Sequence, residues 1–165
     1  MEQNNKVQYF LGLLRIIMGW IFLWVFVDKL YGLGFATTPE GAWVSGGSPT
    51  TGFLKFGVHG PFATFFQSIA GSQLVDWLFM LGLLFVGISL VFGVFMKLGG
   101  LSGIVMLFLM YTAIGIFPAN NPFIDEHIVY ILIIIVLILT NSSQYLGLGK
   151  WWENTSFIQK HTLFK

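Results

Sequence analysis

Four stretches of the chain, residues 10–31, 75–96, 98–117 and 124–140, are almost unbroken in apolar side chains, and the polar positions gather between them. Each is near the length at which an α-helix, rising about 1.5 Å per residue, crosses a hydrocarbon core of about 30 Å. The pattern predicts an all-α fold, an integral membrane four-helix bundle forming one domain over residues 1–165. The first stretch departs from the pattern: LGLLRIIMGWIFLWVFVDKL, residues 11–30, carries Arg15 near one end and Asp28-Lys29 at the other. At about 100° per residue, Gly12, Arg15, Gly19, Phe22, Phe26 and Lys29 share one narrow sector and Asp28 points away from it. A cation at mid-membrane costs on the order of 3 kcal/mol, so this stripe is expected to face other helices or a cavity. The alternative is that Arg15 and Lys29 snorkel to opposite headgroup layers.

The connections carry their own signals. Lys97 and Gly99-Gly100 lie between the second and third runs, a link short enough to force an antiparallel hairpin. Ser89 with Gly93, and Gly99 with Gly103, are small residues four apart that let helices approach closely in lipid. Pro118, Asn120-Asn121 and Pro122 are expected to stop the third helix and start the fourth. The long segment 32–73 is expected to be a structured outer loop. In it Thr38-Pro39-Glu40 resembles a helix start and Gly46-Gly47-Ser48-Pro49 a break. Phe62, Phe65, Phe66 and Ile69 have helical spacing, predicting a short amphipathic helix over 62–70. It would lie in the outer interface or over the bundle as a lid, or else simply plug the bundle top.

Composition narrows the class. Of 165 residues, 56% are hydrophobic, 18% aromatic and only 9% charged, too apolar for a soluble domain of this size. There is no cysteine, so disulfides, thiolate metal sites, iron–sulfur clusters and cysteine nucleophiles are excluded. A formal net charge of +1 without a basic run gives no reason to expect nucleic acid as a partner. MEQNNKVQYF lacks the pattern of a cleaved secretory signal, so the first helix is expected to be retained. With four spans, Lys6, Lys97, Lys150, Lys160 and Lys165 share one side, and the positive-inside rule predicts a multi-pass protein of the cell membrane with cytoplasmic N- and C-termini. Trp151-Trp152 reads as an interfacial anchor on that inner face.

The outer helix ends hold the ionisable groups: Asp28-Lys29, Asp76 and Asp125-Glu126-His127, with His59 in the loop. If the helices form one bundle, these lie in one layer. Asp76, Asp125 and Glu126 also have a structural explanation, as acids in the first turn of a helix. Lys29 has a docking alternative, pairing with Asp125 or Glu126. His127 beside two carboxylates is suited to proton exchange near neutral pH, as quinone reduction requires. His59, flanked by Gly57 and Gly60-Pro61, would reach the same layer or face solvent. No pair of candidate ligands has the i, i+4 spacing of a helical metal motif, and no haem, flavin or iron–sulfur motif is seen.

The runs LLRIIMGWIFLWVFVDKLYGLGFAT, GGSPTTGFLKF, GPFATFFQSIAGS, VDWLFMLGLLFVGISLVFGV and NPFIDEHIVY resemble the DoxX superfamily of four-helix membrane proteins. The likeness is to its DoxD-like branch, the membrane subunit of thiosulfate:quinone oxidoreductase, and extends over residues 11–139. It implies oxidation of thiosulfate to tetrathionate on the outer side, a membrane quinone as electron acceptor, and a small DoxA-like partner subunit. The superfamily also includes proteins with assembly and trafficking roles, which gives a non-catalytic alternative. On matching positions, the resemblance points to Arg15 and Asp28-Lys29 in the R…DKL motif, His59 before GPF, and Asp125 and His127 in NPFxDxH. Lys29, His127 and Asp125 are the catalytic candidates; Arg15, Asp28, His59 and Glu126 are the candidates for binding substrate or quinone. A quinone would enter from lipid between helices, its ring near the outer polar layer. Lys29, Lys55 or protonated His59 would attract the thiosulfate dianion, which Asp125 and Glu126 oppose. Membrane lipid and a second copy of the chain are further expected partners.

Overall fold

The computed structural model describes residues 2–116 and 121–161. Among these every regular element is helical, without strands. Helix α1 runs Glu2–Tyr31. The long connection after it holds 3-10 turns at Pro39–Gly41 and Trp43–Ser45, a π-helical turn at Phe53–Gly57 and the short helix α2, Ala63–Ser68. Then come α3 (Gln73–Phe92), α4 (Met96–Ile114) and α5 (Glu126–Leu139), followed by a 3-10 turn at Ser142–Gln144 and the short helices α6 (Gly149–Glu153) and α7 (Ser156–Lys160).

Three helices, over Asn5–Tyr31, Gln73–Phe92 and Met96–Ile114, are long and apolar enough to cross a membrane. Only 28%, 39% and 33% of their most apolar windows is buried, so most of their apolar surface faces outward. That arrangement suits a lipid solvent and would be a liability in water. The fourth, α5, has 14 residues and reaches about 21 Å, less than a hydrocarbon core.

The long helices pack α1 on α3, α3 on α4, α4 on α5, and α5 back on α1. Met18, Phe22, Met80, Val86, Leu107 and Ile134 bring all four into one core. Small residues set the close approaches. A methyl on Gly19 would come within 2.7 Å of the Val91 nitrogen, and one on Gly99 would overlap Ser89. One on Gly103 would touch Val86 at 3.0 Å, so Ser89, Gly99 and Gly103 pack helices as expected, whereas Gly93, expected to do the same, ends α3 and makes room for Arg15 instead.

The second-to-third connection is displaced from the expected position. α3 ends at Phe92, Gly93 takes the left-handed conformation (φ 73°) with its N–H on the Ser89 carbonyl, and Phe95 (φ 53°) caps α4. Lys97, Gly99 and Gly100 therefore lie inside α4. A glycine both ends helices and packs them, and local sequence does not separate the two uses. Pro118 and Asn120 of the expected stop lie outside the described residues, as does Lys165. Pro122 and Ile124 precede α5, whose N-cap is Asp125.

The end of the helices that carries Lys97 and Lys150 is named the inner end, after the orientation expected from the cations, and the end under the loop 32–73 the outer end; at the inner end, Arg15 is fully buried. Its Nη1 donates to the carbonyls of Leu90 and, at 3.0 Å, Val91; its Nη2 donates to those of Tyr145 (3.0 Å) and Leu146 (2.9 Å). The first pair belongs to the last turn of α3, where carbonyls lack intrahelical partners and the dipole is negative. Arg15 therefore fastens α1 to α3 and to the turn after α5, and it does not snorkel.

The outer loop is fastened by carboxylates. Asp28 accepts from the Phe35 (3.3 Å) and Ala36 (2.9 Å) amides, reversing the chain after α1. Asp76 accepts from Ser48 Oγ at 2.9 Å, and from the Thr50 amide at 3.3 Å and its Oγ1 at 2.5 Å. Thr38 caps the turn that Pro39 opens, and Gly46 breaks the chain with a φ of 87°, both as expected from sequence.

Replacing Arg15 with Met strands four carbonyls, and the expected loss of stability is about 3 kcal/mol or more. Arg15→Lys, with fewer donors and no planar fork, is expected to fall between that variant and the parent in denaturant unfolding of the detergent-solubilised protein.

Candidate functional site

The helices are drawn together at the inner end and leave a cavity of about 790 Å³ toward the outer end. Its walls come from α1 (Phe22, Val25), α3 (Phe79, Leu83) and α4 (Leu107, Met110). Its roof is the outer loop: Pro49, Thr50, Leu54, and Phe66 and Ile69 of the α2 region. The predicted amphipathic helix is thus present and lies over the bundle. Its four apolar residues divide, with Phe66 and Ile69 turned inward and Phe62 and Phe65 exposed.

Two of the sequence candidates meet on this cavity. Lys29 and His127 both line it, although they stand on helices at opposite ends of the chain. Lys29 Nζ donates to the Pro49 carbonyl at 2.9 Å and lies 5.9 Å from the centre of the Phe79 ring. It makes no ion pair with Asp125 or Glu126, and the Asp125 carboxylate instead meets His127 Nδ1 at 2.7 Å. The pairing of Lys29 with the acids of α5 is therefore corrected. Pro49 holds it instead, and its remaining N–H donors are left for a ligand.

Asp125 plays two roles. As N-cap of α5 its Oδ1 accepts from the backbone N–H of His127 (3.0 Å) and Ile128 (3.2 Å), while Oδ2 meets His127 Nδ1 at 2.7 Å. A carboxylate on Nδ1 keeps the proton there, so Nε2 is the nitrogen left to accept or deliver one. Their side chains are 12% (His127) and 5% (Asp125) exposed, so the pair is shielded from water. Tyr130, three residues beyond His127, also lines the cavity. Its helical spacing from His127 was a usable signal.

The other candidates go elsewhere. Arg15 is absent from the cavity lining and engaged at the inner end. Asp28 holds the loop, Glu126 is exposed, and His59 is exposed, with its backbone N–H on the Ala113 carbonyl at 2.9 Å. Thr50 and the Pro49 carbonyl were missed, since nothing in GGSPTTG marks either as part of a site. Asp125, Glu126 and His127 present ligand atoms within 4.8 Å of one another, but Asp125 and His127 Nδ1 are spent on each other.

The arrangement offers an ammonium and an oriented imidazole at the outer end of an otherwise apolar chamber, the Thr50 hydroxyl being spent on Asp76. Its volume is within the usual range of small-molecule sites. A planar head with carbonyl acceptors and an apolar body fits this donor set. No family model, curated protein or solved structure matches the chain.

Asp125→Ala is expected to cost about 1 kcal/mol through loss of the cap, whereas Asp125→Asn should unfold nearly as the parent does. Nitrogen-15 spectra of the imidazole check its role toward His127, because the Nδ1–H bonded to a carboxylate should disappear in Asp125→Ala.

Proposed function

We propose that the chain is the membrane subunit of a quinone-linked oxidoreductase, a DoxX-type membrane four-helix bundle of the DoxD-like branch. The observation that carries this reading is the cavity itself, which joins Lys29 to the His127–Asp125 pair above an apolar chamber. Lys29 stabilises negative charge developing on a quinone oxygen, and His127, oriented by Asp125, delivers a proton to it. The donor implied by the resemblance is thiosulfate. Two thiosulfate ions give up one electron each as the sulfur–sulfur bond of tetrathionate forms, and the two electrons with two protons from the aqueous side reduce the quinone to quinol. The chamber is largely apolar apart from Lys29, and the carboxylates at its outer end oppose a dianion, so the donor is assigned to a DoxA-like partner subunit.

The location proposed is the cell membrane, with both termini cytoplasmic. Supporting it, Lys97 and Lys150 stand at the inner end beside Trp151 and Trp152, while Trp43 and Trp77 form a 4.6 Å edge-to-face pair at the outer end, as in an aromatic belt.

A second reading, a non-catalytic protein that stabilises or ferries others, draws on a separate observation: Arg15, Asp28 and Asp76 are all used in holding the fold. Liposomes containing the chain and its partner separate the two. Thiosulfate-dependent reduction of a soluble quinone is expected, with His127→Phe lowering turnover about 100-fold while unfolding as the parent does. No turnover with the partner present, together with impaired assembly in Lys29→Met, decides for the non-catalytic reading. Since the chain lacks cysteine, Lys55→Cys should react with an impermeant maleimide in intact cells, and Lys150→Cys only after permeabilisation.

A further inference from the structure

We propose that the cavity takes its ligand sideways from the bilayer, through a slot between α3 and α4 crossed by Met106 over Gly82, and that the ligand is a quinone whose apolar tail lies in that slot. The proposal rests on the quinone reading, in which the ligand comes from lipid between helices, and adds which helices part, which residues gate the passage and where the tail lies.

The roof is not the obvious way in. Pro49 and Thr50 lie over the cavity and are bonded to Lys29 and Asp76, and Leu54 and Phe66 beside them are buried. The side is different. Leu78, Leu101, Val105 and Leu109 all line the cavity, yet they are 64%, 57%, 51% and 49% exposed. A side chain that borders both the chamber and the exterior marks an open wall, and all four belong to α3 or α4. The level is that of the membrane, because these residues lie within two of the spanning helices.

The slot has a physical origin. α3 and α4 touch closely at Ser89–Gly99 and Val86–Gly103, toward the inner end. Further out, Gly82 has no side chain to continue the seam, and the terminal methyl of Met106 occupies the place a Cβ would take. An unbranched thioether can swing aside at little cost, which a β-branched residue could not. From Leu101 to Ala113 the cavity follows about 18 Å of α4, deeper than a head group held at Lys29 and His127 requires. Each methylene buried along that wall raises affinity by up to about fourfold.

The test uses the full chain in lipid nanodiscs and two benzoquinone probes, one with a decyl tail ending in a photoactivatable diazirine and one with the diazirine on the ring and no tail. The tailed probe is expected to label α3 and α4 around Leu78, Leu101 and Val105. Gly82→Leu, which drives Met106 into the slot, should reduce that labelling about tenfold or more, and Met106→Ala in the same chain should restore it. If Gly82→Leu fails to fold, Met106→Phe narrows the same passage and gives the same reading. Labelling confined to Leu54 and Phe66, equal for both probes, overturns the proposal. So does full labelling of a well-folded Gly82→Leu protein, or a resident phospholipid that the probe fails to displace. Labelling and turnover fail separately: slot labelling without quinol formation keeps the lateral route and removes the oxidoreductase assignment.

Discussion

The fold depends on one buried cation answered by carbonyls. A guanidinium in an apolar interior is costly unless its donors are used, and Arg15 uses both terminal nitrogens on the end of α3 and on Tyr145 and Leu146. The contact is with partial charges, and among the described residues no carboxylate lies within 4.0 Å of it. Space for it comes from missing side chains: a methyl at Gly93 would stand 3.0 Å from Nη1, and one at Gly147 would stand 2.7 Å from Nη2. Three segments far apart in the chain are thus held at one point.

Locking the inner end leaves the outer end to be shaped by other means. Small residues bring the helices together below, and larger side chains such as Phe22 and Phe79 line the opening above. The loop that covers it is held by carboxylates whose oxygens are occupied by amides and hydroxyls, Asp28 on one side and Asp76 on the other. This division has a chemical consequence. With Asp28 and Asp76 committed to amides and hydroxyls, the ionisable groups that line the chamber among the described residues are Lys29, the oriented His127 and Tyr130, and an apolar surrounding strengthens the hydrogen bonds they offer.

The chamber also joins two levels of the molecule. Its outer end is polar and roofed, while its flank is apolar and open between α3 and α4. Such a shape suits a molecule resident in lipid that brings only its head to Lys29 and His127, and it keeps that head away from bulk water.

Much was legible in the sequence where the physics is local. Apolar run lengths marked the helices, the 100° spacing placed Gly12, Arg15, Gly19 and Lys29 on an inward stripe, and the spacing of Phe62 to Ile69 marked the covering helix. Counting residues from the helix ends put Lys29 and His127 in one layer. Whether they would share a cavity depended on how α1 and α5 rotate about their axes, which is set by contacts at Gly19, Gly87 and Gly100 with residues on other helices. The partner of every buried charge was likewise decided by tertiary structure. Arg15 meets carbonyls 75 to 131 positions away, Lys29 meets Pro49 instead of an acid, and Asp125 turns back on its own helix. Side-chain type determines that a buried charge must find a complement; only the assembled backbone determines which groups come within reach.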